Sequence, residues 1–217
     1  MVARVMIVDD DPLVRSGLKL LLGAEPGLSI AAEAPNGSAA LDAHRSDPVD
    51  LVLMDLRMPV MDGIAATSAL KAAEPAPAVI VLTTFDADDY VVRALAVGAD
   101  GFLLKDTPPQ QIVAAISNVL DGQPALSPSV TAALIKQVVD SGQQSGSVVA
   151  RDGIARLTER EREVAIALAK GASNAEIGAE LYMSVATVKA HISHIFSKLG
   201  AANRVQVAIA VHGAGLV

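Results

Sequence analysis

Arg4-Val5-Met6-Ile7-Val8 is followed at once by Asp9-Asp10-Asp11-Pro12. An apolar, partly β-branched run of strand length gives way to three carboxylates and then to a proline suited to the first turn of a helix. Working outward, four further runs read as strands: Leu28–Ala34, Asp50–Met54, Ala78–Thr83 and Gly101–Leu104. Helical periodicity begins near Pro12, Ser38, Ile64, Asp88 and Pro108. Five strands alternating with five helices predict an α/β doubly wound, five-stranded parallel sheet. Ligands of such sheets lie beyond the carboxyl ends of the strands, at the switch in strand order. Functional residues should therefore follow strands.

The 217 residues suit one large domain or two small ones, and at 52% apolar and 19% charged the chain can bury an ordinary core. It contains no cysteine, which excludes disulfide frameworks, thiolate metal sites and cysteine nucleophiles. Phe85, Phe102, Phe196, Tyr90 and Tyr182 are the only aromatics, too few for a base-stacking platform. The apolar run at the N-terminus meets Asp9-Asp10-Asp11, which a secretory segment would not tolerate, and no apolar stretch reaches the length of a membrane span. A cytoplasmic protein without membrane contact is expected. The net charge of −7 is unevenly spread: residues 1–150 hold 9 basic and 18 acidic side chains, residues 151–217 hold 8 and 6. The acidic and mildly basic parts should do different electrostatic work.

Asp9, Asp10 and Asp11 follow the first strand and Asp55 follows the third. Carboxylates gathered on one sheet edge repel one another, and a hard divalent cation such as Mg²⁺ relieves that while keeping waters for an incoming phosphate. Taken alone, the run also reads as a solvated acidic loop. Thr83 and Lys105 end the fourth and fifth strands, however, so a hydroxyl and an ammonium face the same pocket. A carboxylate can attack a phosphoryl group there while cation, lysine and hydroxyl neutralise or bond its oxygens.

Val8-Asp9-Asp10, Met54-Asp55-Leu56-Arg57-Met58-Pro59 with Asp62-Gly63, Leu82-Thr83, and Gly98-Ala99-Asp100-Gly101-Phe102-Leu103-Leu104-Lys105 resemble the receiver domain of two-component response regulators, over about residues 3–121. The resemblance implies a flavodoxin-like fold. It makes Asp55 the phosphoacceptor for a sensor histidine kinase, and Asp9, Asp10, Asp55 and the backbone carbonyl of Arg57 the holders of Mg²⁺. Thr83 and Lys105 would grip the phosphoryl oxygens, and Phe102 would switch rotamer with Thr83; plain core packing is the other reading of Phe102. Asp11 is taken as a neighbour of this set, and Asp106 stands where many family members carry proline.

The second part carries three helix-start patterns: Thr158 with Glu161, Ser173 with Glu176, and Ser184 before Val185, with Gly171 and Gly200 where helices would stop. About four helices are expected. A helix over about Asn174–Leu181, a turn at Tyr182-Met183 and a helix after Ser184 form a helix-turn-helix pattern. From Val185 to Leu199 there is no acid, so this helix can enter a major groove, with Val188, Ile192, Ile195 and Phe196 facing its own core. Leu157-Thr158-x-Arg160-Glu161, Thr187-Val188-Lys189-x-His191-Ile192 and Lys198-Leu199-Gly200 resemble the LuxR-type domain, over about residues 154–213. Joined to a receiver, this points to the NarL/FixJ class. The resemblance places Lys189, Ala190 and Ser193 at base edges, Ser184 and Thr187 at phosphate, and a helix near Arg204–Val211 in a homodimer.

The domain expectation is therefore a receiver over 1–121, a linker over 122–153 with a possible helix near Pro128–Asp140, and a small all-α four-helix domain over 154–217. A net charge of +2 binds double-stranded DNA weakly, which favours a dimer on an inverted repeat. Two alternatives compete with phosphorylation-controlled transcription. One is a regulator indifferent to phosphorylation; the other is a phosphohydrolase using Asp55, for which neither a second acid or base nor a substrate cap is evident.

Overall fold

The structure is a computed structural model describing residues 2–84, 88–126 and 153–217. The linker helix expected near Pro128–Asp140 and the Gly/Ser/Gln-rich tract lie outside the described residues. Strands β1 (Ala3–Val8), β2 (Leu28–Ala34), β3 (Leu51–Met54), β4 (Ala78–Thr83) and β5 (Gly101–Leu104) alternate with helices α1 (Pro12–Leu22), α2 (Gly37–Ser46), α3 (Gly63–Lys71), α4 (Asp88–Ala96) and α5 (Pro109–Leu120). All neighbouring strands pair in parallel, in the order β2-β1-β3-β4-β5, and a two-residue strand β6 (Ala125–Leu126) extends the edge beside β5. That sixth strand was not expected, since two residues carry no alternation and Ala125 becomes a strand only by pairing with Gly101.

Alternation along the strands builds two cores. Val5, Ile7, Leu51, Leu53 and Ile80 face one side with Leu22 and Ile116, while Met6, Val8, Val52, Met54 and Val79 face the other with Leu70. Burial on both faces is what the uninterrupted apolar strands β3 and β4 require. The sheet order reverses between β1 and β3, so the acids that follow these two strands share one crevice.

The second unit contains α6 (Glu159–Ala169), α7 (Asn174–Glu180), α8 (Val185–Leu199) and α9 (Arg204–Gly213). Thr158 and Ser173 close full capping boxes with Glu161 and Glu176, and Ser184 accepts from the Thr187 amide. Gly200, at φ 62°, ends α8 in the left-handed conformation. Val164, Leu168, Ile177, Val188, Ile195, Val207 and Val211 fill the core, with Ile192 and Phe196 against its edge. The α8 face expected to be structural is therefore the buried one.

Candidate functional site: the acidic pocket and the helix-turn-helix

Main-chain bonds fix where the pocket acids stand. The Asp9 amide donates to the Ala34 carbonyl at 3.1 Å, that of Asp55 to Val8 at 2.8 Å and that of Lys105 to Thr83 at 2.8 Å, so each residue is tied to the end of an adjoining strand. Ligand oxygens of Asp9, Asp10 and Asp55 can lie within 4.8 Å of one another; Asp10 is exposed and the other two are buried. Three hard, anionic oxygens at this spacing form a donor set that fits a divalent cation such as Mg²⁺. The Lys105 ammonium joins two of them, at 2.6 Å from Asp9 Oδ2 and 3.2 Å from Asp55 Oδ2. Asp55 Oδ1 accepts from the Leu56 amide at 2.8 Å. Thr83 is buried at the end of β4, and Phe102 is fully buried against Leu56, Val81, Leu95 and Ala99. Asp10 and Arg57 line the wall of a cavity of about 270 Å³ beside these acids.

Charge in the pocket is unbalanced. Burial raises the Asp55 pKa above the ordinary carboxylate value; Lys105 counters this and the Asp9 charge reinforces it. Burial disfavours the Lys105 ammonium, yet its bond to Asp9 and the charges of Asp55 and Asp9 prevail and raise its pKa.

Arg15 was not evident from the sequence as part of this site, and the structure gives Asp11, Asp62 and Gly63, named there only as neighbours or motif residues, their positions around the acids. Arg15, six positions after Asp9, donates from Nη1 to the Asp9 carbonyl at 2.7 Å, clamping the loop that carries the acids. Asp11 is the N-cap of α1, its carboxylate accepting from the Leu13 amide at 2.8 Å. Gly63 lies directly under Asp55: a Cβ there would fall 2.0 Å from the Asp55 carbonyl oxygen. Asp62 caps the helix that begins at this glycine. The Lys105–Asp106 bond is trans, since the cis peptide bond among the described residues is Glu74–Pro75.

In the helical unit, Lys189, Ala190 and Ser193 are exposed on α8, with Ser184 and Thr187 exposed at its start. The Ser184 and Thr187 hydroxyls are hydrogen-bonded to each other at 2.8 Å. The structure brings these five residues to one helix but does not leave them facing open solvent on every side. Lys189 and Ser193 line a cavity of about 330 Å³ whose far wall is Lys71, Pro77 and Asp100 of the α/β unit.

Residues 5–117 match the response regulator receiver domain, and residues 155–211 match the bacterial regulatory proteins of the luxR family. The chain is 38% identical to the transcriptional regulatory protein LnrK of Bacillus subtilis over 95% of its own length and 94% of that protein's. It is 32% identical to the nitrate/nitrite response regulator protein NarL of Escherichia coli, covering 97% and 95% of the two chains. The solved structure of two RcsB dimers bound to two parallel DNAs shares the fold, at TM-score 0.57 and 23% identity over 98% of this chain and 99% of that one. These relatives are regulatory proteins, LnrK a transcriptional one, and no helix among the described residues is long and apolar enough to cross a membrane. With both domain models matched in this order and relatives aligned from end to end, the chain belongs to the two-component response regulators of the NarL/FixJ class, a receiver followed by a LuxR-type DNA-binding domain.

Proposed function

We propose that Asp55 accepts a phosphoryl group from a sensor histidine kinase and that this event governs binding of the helix-turn-helix domain to double-stranded DNA. The observation that carries the reading is the contact of one ammonium, Lys105, with both Asp9 and Asp55 beside a third acid. Attack of an Asp55 carboxylate oxygen on the phosphorus of a phosphohistidine forms the O–P bond and breaks the P–N bond. The departing imidazole takes up a proton, and a mixed anhydride remains on Asp55. Asp9, Asp10, Asp55 and the Arg57 carbonyl would hold Mg²⁺, which when bound neutralises charge on the phosphoryl oxygens. Lys105 moves from the carboxylate oxygens toward the new phosphoryl oxygens, and the Thr83 hydroxyl donates to them. Phe102 is buried in one cluster with Leu56 and with Val91, Ala94 and Leu95 of α4, so a change of its rotamer reaches the side chains under that helix.

The DNA-binding half of the proposal rests on α8. Lys189, Ala190 and Ser193 would meet base edges, while Ser184 and Thr187 would meet phosphate at the helix N-terminus. The space between α8 and the receiver is far too small for a duplex, whose major groove alone is roughly 12 Å wide. Binding therefore requires the two domains to part. The weak positive charge of the helical domain favours a cytoplasmic homodimer reading an inverted repeat. The domain division proposed is receiver 1–121, linker 122–153 and DNA-binding domain 154–217.

Intact-mass measurement after incubation with acetyl phosphate and Mg²⁺ tests the acceptor. One phosphoryl adduct on the native chain, and none on Asp55→Asn, is expected. An equal adduct on both would remove Asp55 from its role.

A further inference from the structure

Residues 203–206 open α9, and the side-chain amides of Asn203 and Gln206 are bonded through both their oxygen and their nitrogen. Asn203 Oδ1 accepts from the Gln206 amide at 2.9 Å, and Gln206 Oε1 accepts from the Ala202 amide at 2.9 Å. Those bonds use only the oxygens of the two side-chain amides. The nitrogens reach into the other domain. Asn203 Nδ2 donates to the carbonyls of Leu95 and Ala99 at 2.8 Å each, and Gln206 Nε2 donates to those of Leu95 and Ala96 at 2.9 and 3.0 Å. Leu95 and Ala96 close α4, where helix carbonyls lack partners within their own helix. Asn203 is fully buried. One pair of amide side chains thus starts a helix in the DNA-binding domain and ends a helix in the receiver.

We propose that the Asn203–Gln206 cap is a two-sided latch, whose oxygens fold α9 and whose nitrogens hold the receiver closed over α8. The inference rests on the regulated reading above and gives it an atomic seat. Leu95 and Ala99, whose carbonyls are held, pack against Leu56 and Phe102, so the cluster next to Asp55 is also the cluster beneath the latch. A rearrangement of Phe102 then moves two latch carbonyls without acting on the helical domain directly. The contact is close on both sides, for a Cβ at Gly98 would lie 2.9 Å from the Ala202 Cβ. Arg204 adds a third attachment by donating to the Gly122 carbonyl just beyond α5.

Because the two duties fall on different atoms, they can be separated. Asn203→Asp and Gln206→Glu each keep the accepting oxygen and replace the donating nitrogen by a second acceptor, which repels the α4 carbonyls. Each full-length variant would be compared with the native chain by thermal melting, by radius of gyration from small-angle scattering, and by affinity for a mixed-sequence duplex without a phosphoryl donor. The expected result is a native-like melt of the helical domain, a larger radius and duplex binding tighter by about tenfold. The tightening would occur against the added negative charge. A folded variant with native radius and native affinity overturns the latch, and should Asn203→Asp fail to fold, Gln206→Glu decides alone. Treatment of the native chain with acetyl phosphate and Mg²⁺ separates the two readings. If the variants open and the treated native chain does not, the latch stands and phosphorylation control fails; if only the treated native chain opens, the latch fails.

Discussion

Lys198 and Lys105 both bind buried carboxylates, and they do so to opposite ends. In the helical domain Lys198 lies 2.6 Å from Glu161, one cation to one anion, and the same carboxylate accepts from the Thr158 amide at 2.7 Å. Hydrogen bonding to Lys198 lowers the Glu161 pKa to about 2 in spite of burial, with the Thr158 bonds adding to the fall. In the receiver Lys105 serves Asp9 and Asp55 together, with Asp10 alongside, and burial leaves the Asp55 pKa raised. The Lys198–Glu161 pair fixes a helix start and holds its carboxylate ionised. An outnumbered ammonium leaves anionic charge to be satisfied, which is the condition for taking up a cation and an electrophilic phosphorus.

The contrast is sharpest at Lys105. Lys105→Met should slow phosphorylation by acetyl phosphate by about 10²–10³-fold, the scale of losing a donor to a developing oxyanion. Its melting temperature should fall without Mg²⁺ and recover with it, because a bound cation replaces the missing charge; a rate equal to native would make this lysine as structural as Lys198. Gly63→Ala comes next, since its methyl would enter the Asp55 carbonyl, and overpacking of this kind costs about 3 kcal/mol. Urea unfolding of the receiver transition measures it. Glu161→Gln should cost the helical domain about 2 kcal/mol by removing a charged hydrogen bond, with no change in phosphorylation rate. The smallest effect is one of pH. Glu161 has a depressed pKa, so its contribution is present in full above about pH 4.5 and is lost as pH falls toward 2. Acid melts of Glu161→Gln should therefore lose less stability across that window than native; parallel curves would mean the pair does not hold the helix start.

What could be read from the chain and what could not divides along the same physical line. The five strands and the acids behind β1 and β3 were legible because period-2 alternation and strand-end position are local properties of sequence. So were the capping boxes at Thr158 and Ser173, whose partners lie three residues away. The contacts that complete the pocket were less so. Arg15 reaches back from the first turn of α1 to the Asp9 carbonyl, Gly63 matters because the Asp55 carbonyl rests on it, and Lys105, expected in the pocket from its place at a strand end, bridges Asp9 as well as Asp55. Asn203 and Gln206 show both cases in one motif. Their spacing is that of a helix start and could have been read as one, but the four contacts to carbonyls at the end of α4 and at Ala99 lie more than a hundred residues upstream and no local pattern encodes them.

The hydrogen bonds that Asn203 and Gln206 send to the end of α4 and to Ala99 go to peptide carbonyls. Carbonyl groups are the same whatever residue bears them, so the outer residues of α4 can vary while the grip on its end persists. For these bonds side-chain identity is demanded at Asn203 and Gln206, while on the receiver side the close approach of Ala202 demands only glycine at position 98. Apart from Gly98, the exposed side chains at the end of α4 can diverge, for instance toward a different kinase, without renegotiating those bonds to the DNA-binding domain.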